Sequence, residues 1–165
     1  MLAPVDTNSS SRVRTALAAS LIVCASTSFA DSYVPRANTR REIKKYVHTA
    51  AKHIARHGPS CSEFARRQWR SGDYYLFVLA PDGRTLCHPD QSMIGKPANA
   101  IVDANGRRVG EMIVTASKKW RGGWVDYVWP RPGTTKPVPK STYAERVRSP
   151  DGETYIVGSG GYELK

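Results

Sequence analysis

The chain has 165 residues, with 25 Lys or Arg against 14 Asp or Glu, a formal charge of +11, 40% hydrophobic residues and 24% charged ones. That length leaves no room for two large domains, and the composition is neither disordered nor fibrous. One folded domain drawn to anions is what these figures allow.

In chain order, Arg12 and Arg14 precede an uncharged, mostly apolar run from Ala16 to Ala25, and a polar stretch ends in Ser28-Phe29-Ala30. This pattern predicts a secretory signal peptide over 1–30, cleaved after Ala30. The apolar run is shorter than the roughly 20 residues that span a bilayer. Val23 before Cys24 lacks the small residue that a lipoprotein signal requires. Only Asp6, Arg12 and Arg14 are charged in this stretch, so residues 31–165 keep 23 basic and 13 acidic groups. Nothing after Ala30 reads as a membrane span. The expectation is a periplasmic or secreted domain, acting through a partner protein.

Thr39 and Glu42 have capping-box spacing, and Ile43, Tyr46, Val47, Ala50, Ala51 and Ile54 then recur at intervals that predict an amphipathic helix ending at Gly58-Pro59. Its other face carries Arg41, Lys44, Lys45, Lys52 and Arg56. Ser60 with Glu63 predicts a second, shorter helix holding Phe64, Ala65 and Trp69. These two helices form an N-terminal region, 31–71, ahead of a core at 72–165. In the core, Tyr74 to Leu79 is β-rich, Pro81-Asp82-Gly83 is turn chemistry, and Arg84 to Cys87 reads as the returning strand. A helix follows Asn105-Gly106, with Val109, Met112, Ile113 and Ala116 as its apolar positions, and stops at Gly122-Gly123. Three strands close the chain: Trp124 to Trp129, Lys140 to Arg148 and Thr154 to Ser159. Pro130, Pro132, Pro137 and Pro139 mark the connection between the first two, and Pro150-Asp151-Gly152 the next turn. The sum is an α+β domain with a mostly antiparallel sheet.

Cys61 and Cys87 are an even pair in a compartment that favours disulfides, and a bridge is expected; two buried free thiols are the other reading. Catalysis finds no support in a paired-carboxylate motif or a serine nucleophile elbow, so no enzyme activity, cofactor or metal is expected. His48, His53 and His57 are spaced so that at most His53 and His57 share a helical face, which reads as solvated.

The blocks Gly72-Asp73-Tyr74-Tyr75-Leu76-Phe77-Val78 and Asp82-Gly83-Arg84-Thr85-Leu86-Cys87-His88-Pro89 resemble the central hairpin of bacterial single Cache sensor domains. Gly95-Lys96, Asp103-Ala104-Asn105-Gly106, Gly123-Trp124-Val125-Asp126-Tyr127-Val128-Trp129-Pro130, Pro139-Lys140-Ser141-Thr142-Tyr143 and Gly158-Ser159-Gly160-Gly161-Tyr162 follow in the family's order. The resemblance implies a PAS-like fold: a five-stranded antiparallel sheet, a long N-terminal helix on one face and a ligand pocket on the other. It also implies an extracytoplasmic sensor of small molecules, often carboxylates.

Strand alternation puts Tyr75 and Phe77 on one face, and Val125, Tyr127 and Trp129 on one face of a later strand. If those faces meet they form either an aromatic pocket wall or plain core. Lys140 beside such a wall would attract a carboxylate, with Tyr143 at the same mouth and His88 as a donor; a surface lysine and a backbone-capping histidine are the simpler alternatives. The candidate ligand contacts are therefore Tyr75, His88, Tyr127, Trp129, Lys140 and Tyr143, and the candidate ligand is a small organic anion. The other functional reading is a basic secreted protein that binds polyanions (anionic lipid, glycan or nucleic acid) through its first helix and Arg66, Arg67 and Arg70. No nucleic-acid motif accompanies those residues, and secretion separates the chain from cytoplasmic nucleic acid.

Overall fold

The computed structural model describes residue 1 and residues 32–164, so the expected signal peptide lies, apart from Met1, outside the described residues. Helix α1 spans Arg40–His57 and begins where the sequence predicts: the Thr39 hydroxyl accepts from the Glu42 amide at 3.3 Å. Only half of the capping box forms, because the Glu42 carboxylate turns to the Tyr33 hydroxyl and the Arg36 amide. Gly58, at φ 80°, closes the helix with its amide on the Ile54 carbonyl. Ile43, Tyr46, Val47, Ala50 and Ile54 are buried along one stripe. Ile43, Val47 and Ile54 each contribute about 1.5–3 kcal/mol of burial, an upper bound set by the unfolded reference.

Helix α2 is a single turn, Cys61–Phe64, instead of the longer helix expected. Its capping box does not form: the Ser60 side chain makes no cap bond, and Glu63 bonds His53 across the gap to α1. The chain then turns so that Trp69 is buried and its carbonyl accepts from the Tyr46 hydroxyl. His53 corrects a second expectation. It is 5% exposed, in contact with Phe64 and Trp69, and so belongs to the interior rather than a solvated face.

Five strands follow: β1 Phe77–Leu79, β2 Thr85–Cys87, β3 Gly123–Pro130, β4 Pro137–Arg148 and β5 Thr154–Tyr162, with α3 at Val109–Ser117. They form one antiparallel sheet in the order β2-β1-β5-β4-β3. The expected α+β class and PAS-like sheet are what the structure has. Strands β3 and β4 run longer than predicted, taking in Pro130, Pro137 and Pro139. A proline donates no ladder bond, yet is tolerated at a sheet edge. Here β3 is the edge strand and β5 ends at Tyr162, opposite Lys140; beyond it the Glu163 amide donates to the Pro139 carbonyl at 2.8 Å, a bond that asks no donor of the proline.

The sheet has apolar layers on both faces. On one, α1, Phe64 and Trp69 pack against Leu76, Val78, Tyr143, Val147 and Val157. On the other, α3 supplies Val109, Ile113 and Ala116 against Tyr75, Phe77, Leu79, Val125, Tyr127, Ala144 and Ile156. Cys61 and Cys87 form a disulfide with Cα atoms 5.1 Å apart, joining α2 to the end of β2. Among the described residues, no helix is long and apolar enough to cross a membrane.

Candidate ligand-binding site

Side-chain alternation decides which residues can share a site. Lys140, Thr142 and Ala144 point to the α3 face of β4, opposite Tyr127, Val125 and Gly123 of β3. Tyr143, between them, points to the α1 face, where it packs beside Trp124 and under the Lys44 ammonium. The structure thus brings Tyr75, His88, Tyr127, Trp129 and Lys140 to one side and puts Tyr143 on the other. The parity of β4 makes it impossible for neighbours 140 and 143 both to face the cavity.

Lys140 is 2% exposed. Its Nζ donates to the Tyr75 hydroxyl at 2.6 Å and lies 4.4 Å and 4.8 Å from the ring centres of Tyr75 and Tyr162. Among the described residues no carboxylate lies within ion-pair distance of it; burial lowers its pKa to about 7, with the Asp73 charge acting in the opposite direction. The Tyr162 hydroxyl, on the second ring over which the ammonium sits, donates to the Pro130 carbonyl at 2.6 Å. Burial pushes Tyr162 up to about 12 and Tyr75 well above its ordinary value, so both phenols stay neutral. The Lys140 stem has room to reach this position because β5 carries Gly160: a Cβ there would sit 2.8 Å from Lys140 Cε and 2.5 Å from Thr142 Oγ1.

His88 follows the disulfide-bonded Cys87 directly, and its ring meets that of Tyr75 edge-on at 5.2 Å. The Asp90 amide donates to Nδ1 at 3.0 Å, which places the proton of the neutral ring on Nε2. Burial and then the Lys140 charge hold its pKa down to about 4. The Tyr127 hydroxyl pairs with Thr142 Oγ1 at 2.8 Å, and Trp129 packs edge-on against Tyr127.

Tyr75, His88, Tyr127 and Trp129 line a cavity between sheet and α3, closed by Met93 and Ile101 from the long loop and by Val109 and Ile113 of α3. Its free volume is about 30 Å³. Thr85 also lines it, with a buried Oγ1 that has no hydrogen-bond partner among the described residues. Tyr75, His88 and Trp129 form a partition between this cavity and an outer cleft of about 410 Å³, whose walls include Arg70 and Arg131. Arg131 is held in place by Asp73 and Glu163. Asp90 also lines the cleft, so an anion approaching through it would meet Arg70 and the doubly paired Arg131 beside a carboxylate, then the imidazole Nε2–H and Tyr75, with the buried ammonium behind.

Several of these residues were missed in the sequence. Tyr162 faces Lys140 across the β4–β5 ladder, a pairing that needs the register. Val109 and Ile113 were legible as the apolar stripe of α3, though not as a cavity wall. Met93 and Ile101 sit in loop segments with no periodic signal. Asp103 anchors that loop: its buried carboxylate accepts from the amides of Asn105 and Arg107 at 3.0 and 2.9 Å and from the Arg107 guanidinium at 2.9 Å.

A sheet with a long helix on one face and a small, partly polar cavity on the other defines a small-molecule sensor domain of the PAS-like class. The chain matches the single Cache domain 2 family over residues 7–163, and it belongs to that family. The match begins inside the segment whose pattern predicts a signal peptide. A solved periplasmic sensor domain of a chemotaxis protein is 29% identical, with a TM-score of 0.57 over 74% of this chain and 92% of that one. A Cache chemosensory domain studied for carboxylic acid recognition is 28% identical, with a TM-score of 0.50 over 73% of each chain. A methyl-accepting chemotaxis protein from Vibrio parahaemolyticus RIMD 2210633 is 26% identical, with a TM-score of 0.50 over 73% of this chain and 72% of that one. The methyl-accepting chemotaxis protein McpP of Pseudomonas putida is 31% identical over 91 residues, which are 54% of this chain and 16% of McpP. The chain thus spans a small part of that curated relative.

Proposed function

We propose that this domain binds a small organic anion, a carboxylate, in the cavity lined by Tyr75 and His88, with Lys140 behind the Tyr75 phenol it bonds, and passes the bound state to a partner protein outside the cytoplasm. The observation that carries this reading is the Lys140 ammonium itself: buried, flanked by two phenol rings and within ion-pair distance of no carboxylate among the described residues. A buried charge without a counter-ion is costly, and a ligand carboxylate would relieve that cost. Tyr75, His88 Nε2 and Thr85 Oγ1 supply further donors, while Tyr127 and Trp129 give an apolar wall for the ligand's hydrocarbon part. The tightness of the cavity favours short acids. The carboxylic acid recognition described for the similar Cache chemosensory domain supports the same ligand class. Tyr143 has no part in this site.

The test is calorimetric titration with a panel of short mono- and dicarboxylates, amino acids and amines. Binding of at least one carboxylate is expected, with Lys140→Ala lowering its affinity by tenfold or more; a charge-assisted hydrogen bond worth about 1.5–3 kcal/mol corresponds to that scale. Unchanged affinity in Lys140→Ala would remove the residue from the site.

A further inference from the structure

The turn joining α3 to β3 carries Lys118, Lys119, Trp120 and Arg121, and Trp120 is 89% exposed, the most exposed large hydrophobic side chain among residues 32–164. This turn is built firmly. The Gly122 amide bonds the Lys119 carbonyl at 2.9 Å, and Arg121 adopts φ 62°, in the left-handed region. A Cβ on Gly122 would stand 2.5 Å from the Ala144 carbonyl, so the base of the turn sits flush on β4. An indole held out at the tip of a tight turn is displayed, with no neighbour that uses its apolar surface. Beside it, across a groove shared by the two elements, α1 presents Arg41, Lys44 and Lys45. None of these six cations makes an ion pair among the described residues. The one carboxylate in the groove, Glu145, is buried and bonded to His48.

We infer that this face docks on an anionic phospholipid bilayer, with Trp120 seated at the headgroup level and the six cations over the lipid phosphates. The pairing of chemistries selects the occupant. A soluble polyanion would be satisfied by the cations alone and has no use for a protruding indole, whereas the interface of a bilayer takes both an amphipathic ring and surrounding Lys and Arg. An acidic protein surface would leave the ring standing in water unless it offered a matching pocket. The inference is independent of the carboxylate site, which opens on the opposite face of the sheet.

Co-sedimentation of the full chain with phosphatidylcholine vesicles, with and without phosphatidylglycerol, tests it against two variants. One is Trp120→Ala; the other combines Lys118→Gln, Lys119→Gln and Arg121→Gln. Because both variants keep the N-terminal segment, its contribution is the same in the wild type and the variants. Binding only to the phosphatidylglycerol vesicles is expected, weakened several-fold by Trp120→Ala and about a hundredfold by the triple variant, from about 1 kcal/mol for each cation near an anionic surface. Indole fluorescence of the wild type should be quenched by brominated lipid, with that quenching reduced in Trp120→Ala. Equal binding to neutral vesicles would overturn the inference, as would wild-type partitioning of Trp120→Ala. Binding to heparin with the same dependence on Trp120 would also overturn it, in favour of a soluble polyanion. The exposure of these side chains predicts native thermal unfolding for both variants, which a melting curve checks.

Discussion

Lys140 has both protonation states within reach of neutral pH, and the sign of the resulting pH dependence can be worked out. Burial brings its pKa to about 7, against 10.5 for a free lysine. A bound carboxylate would raise it again. Below pH 7 the amine is charged before the ligand arrives, so affinity is flat; above pH 7 each binding event takes up a proton, and affinity falls by up to about tenfold per pH unit. The groups around it do not confuse this window, since His88 titrates at about 4 and burial keeps Tyr75 and Tyr162 neutral. Calorimetry at pH 6 and pH 9, in buffers of different ionisation enthalpy, should show proton uptake near zero at the first and close to one at the second. Equal uptake at both would contradict an ammonium–carboxylate contact. The same shift affects stability. Because the folded-state pKa lies below the unfolded one, Lys140 disfavours the fold most fully below pH 7, and that cost declines as pH rises from about 7 towards 10.5. Lys140→Met is expected to melt at a higher temperature than the wild type at pH 6 while binding no carboxylate. A lower melting temperature would mean that the ammonium stabilises its surroundings even without a ligand.

Two elements hold the site in shape, and each can be loosened separately. The Cys61–Cys87 bridge fixes the end of β2 one residue before His88. Replacing both cysteines by serine should lower the unfolding free energy by about 3–4 kcal/mol on the chain-entropy account, read as a shift in the urea midpoint. An unmoved midpoint would show that packing alone fixes that corner. Strand β5 matters through Gly160, where Gly160→Ala drives a methyl into Lys140 and Thr142. A loss of about 1–3 kcal/mol in stability is expected from overpacking, together with weaker carboxylate binding, because Thr142 also orients Tyr127. The sequence made elements legible wherever a local signal agreed with the tertiary environment: the Thr39 cap and Gly58 stop of α1, the alternation of Val125, Tyr127 and Trp129, and the turn at Pro81-Asp82-Gly83. It failed where a long-range partner took the residue over. Glu63 left its capping box for His53, and Pro137 and Pro139 joined a strand through their pairing with β3, where Pro137 lies past the end of β5 and Pro139 only accepts, from the Glu163 amide. Tyr143 is near Lys140 in sequence, but a separation of three along a strand puts the two on opposite faces.

Across the whole molecule, the size of the cavity sets the mechanism. A space of about 30 Å³ accommodates roughly two waters, so even a short carboxylate requires the walls to part. The sheet wall is the less yielding one, since β5 is hydrogen-bonded to β1 and β4 on its two sides. The covering wall is the loop from His88 to Arg108, which contributes Met93 and Ile101. It is tied to β2 through the Thr85 amide on the Lys96 carbonyl and the Gly95 amide on the Thr85 carbonyl, and to α3 through the Gly110 amide on the Ile101 carbonyl. Opening there breaks a few hydrogen bonds, whereas opening the sheet would break a ladder. Ligand entry should therefore select loop-open states, and the bound ligand should hold the loop closed from inside. Transmission to a partner needs one further step through the sheet to α1, which packs on β4 and β5 from the other face. Hydrogen exchange with and without a bound carboxylate separates the two steps. Slower exchange in 88–108 together with a change in α1 is expected of a domain that both captures and reports. Slowing confined to the loop would leave capture in place and rule out α1 as the reporting surface.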